Sequence, residues 1–131
     1  MAWPFQQLHR HSCAQSHIRY ISDMRWSVET LNADVDAEIA ALPPALQARL
    51  IRLMEMVEAM GLEHVHEPHV KHIEGKLWEL RAKASEGIAR GFYVAVTGRR
   101  VVLLHVFVKK SQKTPRTALE VARQRMKQVP Q

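Results

Sequence analysis

The period of apolar and polar positions changes along the chain, and each change marks an element. Trp26, Val28 and Thr30 alternate with Ser27, Glu29 and Leu31, which predicts a short first strand. Asn32 or Asp34 stands where a helix N-cap is wanted, and a short helix is predicted from there to about Leu42. Pro43-Pro44 ends that helix and opens the next, because proline is accepted in a first turn. Leu46, Leu50, Leu53, Met54, Val57 and Met60 then recur at helical spacing, and Gly61 follows as a C-terminal stop. Two such helices form a hairpin whose apolar stripe needs a sheet to cover it. The segment 62–75, LEHVHEPHVKHIEG, holds four histidines and reads as a polar connector around Pro68.

Three strand-like runs follow, at Lys76–Ala82, Ile88–Thr97 and Arg100–Lys109. The gaps between them are short and turn-rich, so the runs predict an antiparallel meander. Thr114-Pro115 is read as the cap of a last helix reaching about Gln128. Strict alternation in the last strand puts Val102, Leu104, Val106 and Val108 on one face. Val101, Leu103, His105, Phe107 and Lys109 fall on the other. In the first run Leu77, Glu79 and Arg81 share a face, opposite Trp78, Leu80 and Ala82, with Trp78 and Leu80 expected in the core. Arg90 shares a face with Phe92, and Tyr93 lies opposite. The expected fold is α+β: an antiparallel sheet packed against an N-terminal helical hairpin, with a C-terminal helix.

Length and composition fit one globular domain: 131 residues, 47% hydrophobic and 24% charged. That domain is placed at residues 24–131. Residues 1–23 show no period and read as a disordered or mis-started extension. His9, His11, Cys13 and His17 within it lack the paired spacing of a structural zinc site, so no metal or other cofactor is expected. The single cysteine excludes an intrachain disulfide. No apolar run approaches the ~20 residues of a membrane span, and the cytoplasm is the expected compartment.

Charge sharpens the picture. Residues 1–70 carry five Lys/Arg against nine Asp/Glu (net −4), and residues 71–131 carry fourteen against four (net +10). A basic half in a soluble domain points to a polyanion, most simply nucleic acid. Arg81, Arg90, His105, Lys109 and Lys110 are expected to converge on one surface. The chain has no Gly-rich phosphate loop, no nucleophile in a recognisable turn and no carboxylate cluster for Mg²⁺. What remains suits metal-independent RNA cleavage, in which the 2′-OH attacks the adjacent phosphate. Arginines match the phosphate oxygens, and a lysine or histidine tuned toward neutral pH moves protons. Phe107 or Tyr93 would stack on bases.

The segments LWELR (77–81), RGFYVAV (90–96), VVLLHVFVKKSQKTP (101–115) and ALEVARQRM (118–126) resemble the phage-derived HigB-like toxins of the RelE superfamily. These are toxins of type II toxin–antitoxin systems. The resemblance covers residues 24–131. It implies a RelE-like fold, a small curved antiparallel sheet backed by the two N-terminal helices, and a ribosome-dependent mRNA endoribonuclease that needs no metal. It also implies a helix-turn-helix, HigA-like antitoxin as partner, with DNA met only through that antitoxin. Carried over by matching position, Arg81 and Arg90 would hold phosphate, and Lys109 or Lys110 would transfer protons. His105 would either join them or be hydrogen-bonded in place. Lys76, Tyr93, Phe107, Lys113 and Arg116 are the expected RNA contacts. Gly91 departs from the family pattern, in which a larger residue is common beside the arginine. Three rivals remain open: a non-catalytic RNA- or ribosome-binding module of the same fold, a DNA-binding regulator, and a basic interaction domain.

Overall fold

The computed structural model describes residues 25–109 and 114–130. β1 (Ser27–Thr30) leads into α1 (Ala33–Ala40) and α2 (Pro44–Met60), and a 3-10 turn at Leu62–His64 precedes β2 (Val70–Glu74). Then come β3 (Leu77–Ala84), β4 (Gly87–Val96), β5 (Arg100–Lys109) and α3 (Arg116–Met126). The fold is α+β, with one five-stranded sheet in the order β1-β5-β4-β3-β2.

Local chemistry accounts for most boundaries. The Asn32 side chain accepts the Val35 N–H at 3.2 Å, and Asp34 and Asp36 sit in the first turn of α1, where the helix dipole favours acids. α2 starts on Pro44 and stops at Gly61, whose φ of 93° is a conformation that side chains with a Cβ rarely adopt. α3 is different from expectation. Its N-cap position is Pro115 and no side chain caps it, so Thr114 does not play that part.

The sheet corrects the sequence reading in three places. It is mixed, because β1 pairs in parallel with β5 from Ser27↔Arg100 to Thr30↔Leu103. The two-helix excursion after β1 is long enough to act as a crossover, so the chain can return in the same direction. The segment 62–75 is not all connector, since β2 pairs antiparallel with β3 from Val70↔Leu80 to Glu74↔Leu77. β2 is an edge strand in which only Val70 is buried, so it carries no apolar alternation to read. Third, alternation along β5 slips. Phe92 pairs with His105 but Tyr93 pairs with Leu103, leaving Leu104 as a bulge. Leu103 therefore faces one side and His105 the other, although both are odd-numbered.

Apolar clusters cover both sides of the sheet. On one side Leu80, Tyr93, Leu103 and Val106 pack with Val35, Ile39, Leu46, Leu50 and Met54 of the helical hairpin. On the other, Leu77, Phe92, Val94, Val102 and Leu104 pack with Ala118 and Ala122 of α3. Trp78, expected in the core, is 38% exposed, and Val108, on the otherwise apolar face of β5, is 37% exposed. Gly91 lies under the hairpin, where an added Cβ would stand 3.1 Å from Leu103 Cδ2 and 3.9 Å from Leu50 Cδ1. A larger residue there would crowd the helix layer. Among the described residues no helix is long and apolar enough to cross a membrane.

Candidate functional site

Directly opposed residues in a sheet point the same way, so the strand register sets out the site row by row. Glu79, Phe92 and His105 make one row. Arg81, Arg90 and Phe107 make the next, followed by Lys83, Ile88 and Lys109. These rows lie on the α3 side of the sheet, and their charged end continues past the apolar cluster that α3 covers. Of the five residues expected to converge, the register brings Arg81, Arg90 and Lys109 together.

Their common centre was not foreseen. Glu79 is fully buried and takes Arg90 Nη1 at 3.1 Å on Oε1 and 3.3 Å on Oε2. Arg81 Nε stands 3.5 Å from the same Oε1, with the Arg81 side chain 22% exposed. Arg90 is 1% exposed, so it is fixed behind Glu79 while Arg81 reaches solvent. Lys109 is 4% exposed, and its Nζ has no hydrogen-bond partner among the described residues. Burial holds the Lys109 ammonium below its ordinary 10.5; Arg90 pushes it further down, Glu79 opposes, and Lys71 and Arg81 again lower it. A buried lysine among cations with one carboxylate nearby is a group that can lose a proton more readily than a surface lysine.

His105 stands one row away, in a second network. Its Nδ1 lies 3.0 Å from Glu38 Oε1, and because a carboxylate only accepts, Nδ1 carries the shared proton. Glu38 Oε1 also accepts the Val106 N–H at 3.0 Å. Arg125 of α3 donates to Glu38 Oε2 at 2.8 Å and to the Leu104 carbonyl at 2.9 Å. β1 stops pairing at Leu103, so Glu38 and Arg125 supply the hydrogen bonds that β5 would otherwise lack at its bulge. Burial raises the Glu38 carboxyl, but His105, the Val106 N–H and Arg125 outweigh it and hold the group below its ordinary 4.5. A carboxyl depressed on folding stabilises above its unfolded value, and that contribution is lost as pH falls through the folded one. Glu38→Gln is expected to cost about 2 kcal/mol at neutral pH and to flatten the acid limb of stability below pH 4.5. Urea unfolding against pH checks both; an unchanged acid limb would contradict the network.

The remaining expected residues are scattered. Phe107 stacks on His105 and tilts against Phe92, each at 5.3 Å between ring centroids. Tyr93 is buried on the hairpin side, away from Phe107, and burial pushes its phenol above the usual range. It cannot stack on a base from there. Lys76 lies in the turn between β2 and β3, and Arg116 opens α3, both exposed. Lys110 and Lys113 lie outside the described residues, as do His9, His11, Cys13 and His17. Among the described residues no three His, Cys, Asp or Glu side chains are grouped to hold a metal ion.

A family model described as phage-derived protein Gp49-like (DUF891) matches residues 37–127, from within α1 to just past α3. The chain belongs to the Gp49-like family. Gp49-like proteins are a phage-derived, toxin-like family, RelE-like and associated with toxin–antitoxin systems, and membership implies an antitoxin partner. The Gp49-like match takes in Glu38, Glu79, Arg81, Arg90, His105 and Lys109, and leaves out β1. No curated protein matches the chain.

Proposed function

We propose that this Gp49-like protein is a HigB-like toxin of the RelE superfamily that cuts mRNA on the ribosome, without a metal, by 2′-OH attack on the neighbouring phosphate. The observation that carries this reading is the Lys109 ammonium, buried and without a hydrogen-bond partner among the described residues, beside Arg81 and Arg90. Cleavage needs three things: removal of the 2′-OH proton, stabilisation of the charged phosphorane, and protonation of the departing 5′-oxygen. Lys109, with its lowered proton affinity, serves proton transfer. Arg81 reaches solvent and takes the phosphate oxygens through its planar fork. Arg90 acts from behind, fixing Glu79 and depressing Lys109 through its charge. His105 holds the bulge that aims the end of β5, bonded to Glu38. Lys110 and Lys113, with Lys76, Phe107 and Arg116, are assigned to RNA contact, and a HigA-like antitoxin is the assigned partner.

The test is tightly controlled expression in a bacterial host, following growth and mRNA 5′ ends within minutes of induction. Growth arrest with new ends inside translated frames is expected, and Arg81→Ala should relieve it, cutting cleavage by about 10²-fold or more. Arrest without new ends would mean a ribosome-binding module that stalls translation without cutting. Unimpaired growth with folded protein present would remove the toxin reading.

A further inference from the structure

A cleft of about 480 Å³ opens between α2 and the outer edge of β3. β2 pairs with β3 only as far as Val70↔Leu80, so Ala82–Ala84 have no strand on that side. Leu53, Met56 and Ile88 supply apolar lining, and Arg49, Arg52 and Lys83 supply cations. Those three cations are exposed, and none has an ion-pair partner among the described residues. Arg49 and Arg52 are three apart on α2 and so lie on one side of the helix. Cations left unpaired around apolar walls raise the local potential and call for an anion that also carries a hydrophobic plane.

We propose that this cleft is a nucleotide subsite, with Arg49, Arg52 and Lys83 taking phosphate and Leu53, Met56 and Ile88 taking the base. The proposal rests on the RNA-cleavage reading and extends it to a nucleotide next to the scissile phosphate. Arg81 joins the two places, since it lines the cleft and also stands beside Glu79 in the Lys109 site. That continuity favours RNA over an acidic protein segment, which would need the charge but not the link to Lys109. The volume falls in the range of small-molecule sites, about 300–1,000 Å³. Arginine planes and a methionine offer stacking surface that every base can use.

Amide resonances of the full-length protein, titrated with adenosine 5′-monophosphate, ribose 5-phosphate and inorganic phosphate, test the cleft. Adenosine 5′-monophosphate should shift the amides of Arg52, Leu53, Ala82 and Ile88, binding at least about tenfold tighter than ribose 5-phosphate. Arg52→Ala, an exposed change that leaves the core intact, should weaken it by about tenfold. Equal affinity for the nucleotide and inorganic phosphate would reduce the cleft to a general anion patch and overturn the proposal. Shifts confined to Arg90, Phe107 and Lys109 would overturn it too. So would a glutamate-rich peptide that moves the cleft amides when the nucleotide does not, which would make the cleft a protein-docking site. Cleavage is read separately from mRNA ends. Cleft shifts without new ends would keep a nucleotide site and remove the nuclease reading. New ends without cleft shifts would do the reverse.

Discussion

Lys109→Met should cut mRNA cleavage by about 10²–10⁴-fold, the usual weight of a positioned proton-transfer group, and still leave a protein as stable as the parent or more so. The two halves of this prediction have one cause. The Lys109 ammonium is taken out of water at 4% exposure and meets no hydrogen-bond acceptor among the described residues. Desolvation without a partner costs free energy, and methionine fills similar space without that cost. The pH dependence has a definite sign. The folded proton affinity lies below the unfolded 10.5, so between the two values the unfolded chain binds more protons and stability rises with pH. The penalty is fully present below the folded value and fades as pH climbs toward 10.5. In Lys109→Met that rise should be absent from urea-unfolding curves. Retained cleavage would remove Lys109 from the chemistry. Lost stability would mean that the ammonium has a strong partner after all.

Sequence legibility followed how local each cause was. The Asn32 cap, the Pro44 start, the Gly61 stop and the limits of β5 were readable because each depends on a few neighbouring residues. β2 was not, since a polar edge strand with one buried valine has no period. The bulge at Leu104 was hidden for a related reason. VVLLHVFV is apolar at almost every position, so a slip in alternation leaves no mark in the sequence. Arg81, Arg90 and Lys109 were placed on one surface from alternation and from the family resemblance. The residues that organise them came from elsewhere in the chain. Glu38 reaches His105 across 67 positions, and nothing near Glu38 announces it. Glu79 was seen on the face of Arg81, but its burial follows from Arg90, delivered by the next strand. Arg49 and Arg52 look like ordinary solvent-facing cations on α2 until the open edge of β3 is set against them. Pairing across strands and helices decides each of these, and no window of local sequence contains it.

Glu79→Ala should be the most destabilising of the single changes considered, by about 3–5 kcal/mol, because it leaves Arg90 buried without its carboxylate. The pair is short and dry: 3.1 Å, with the side chains 1% and 0% exposed. Glu79→Gln should cost less, since a carboxamide oxygen still accepts from Arg90 although the charge is gone. Both changes remove the carboxylate charge that opposes the fall at Lys109, so its proton affinity should fall further. Replacing the pair together, as Glu79→Leu with Arg90→Met, should recover most of the loss, because two charges no longer have to be desolvated. A denaturation cycle over the two singles and the double measures the coupling. A Glu79→Ala loss below about 1 kcal/mol, the scale of exposed pairs, would show that water reaches Arg90. The double variant also separates stability from chemistry. A stable double variant that no longer cuts would mean the buried charges are kept to set the field around Lys109, since an apolar pair serves the fold equally well. A stable double variant that cuts normally would leave Arg81 and Lys109 as the working groups, with the pair a structural choice.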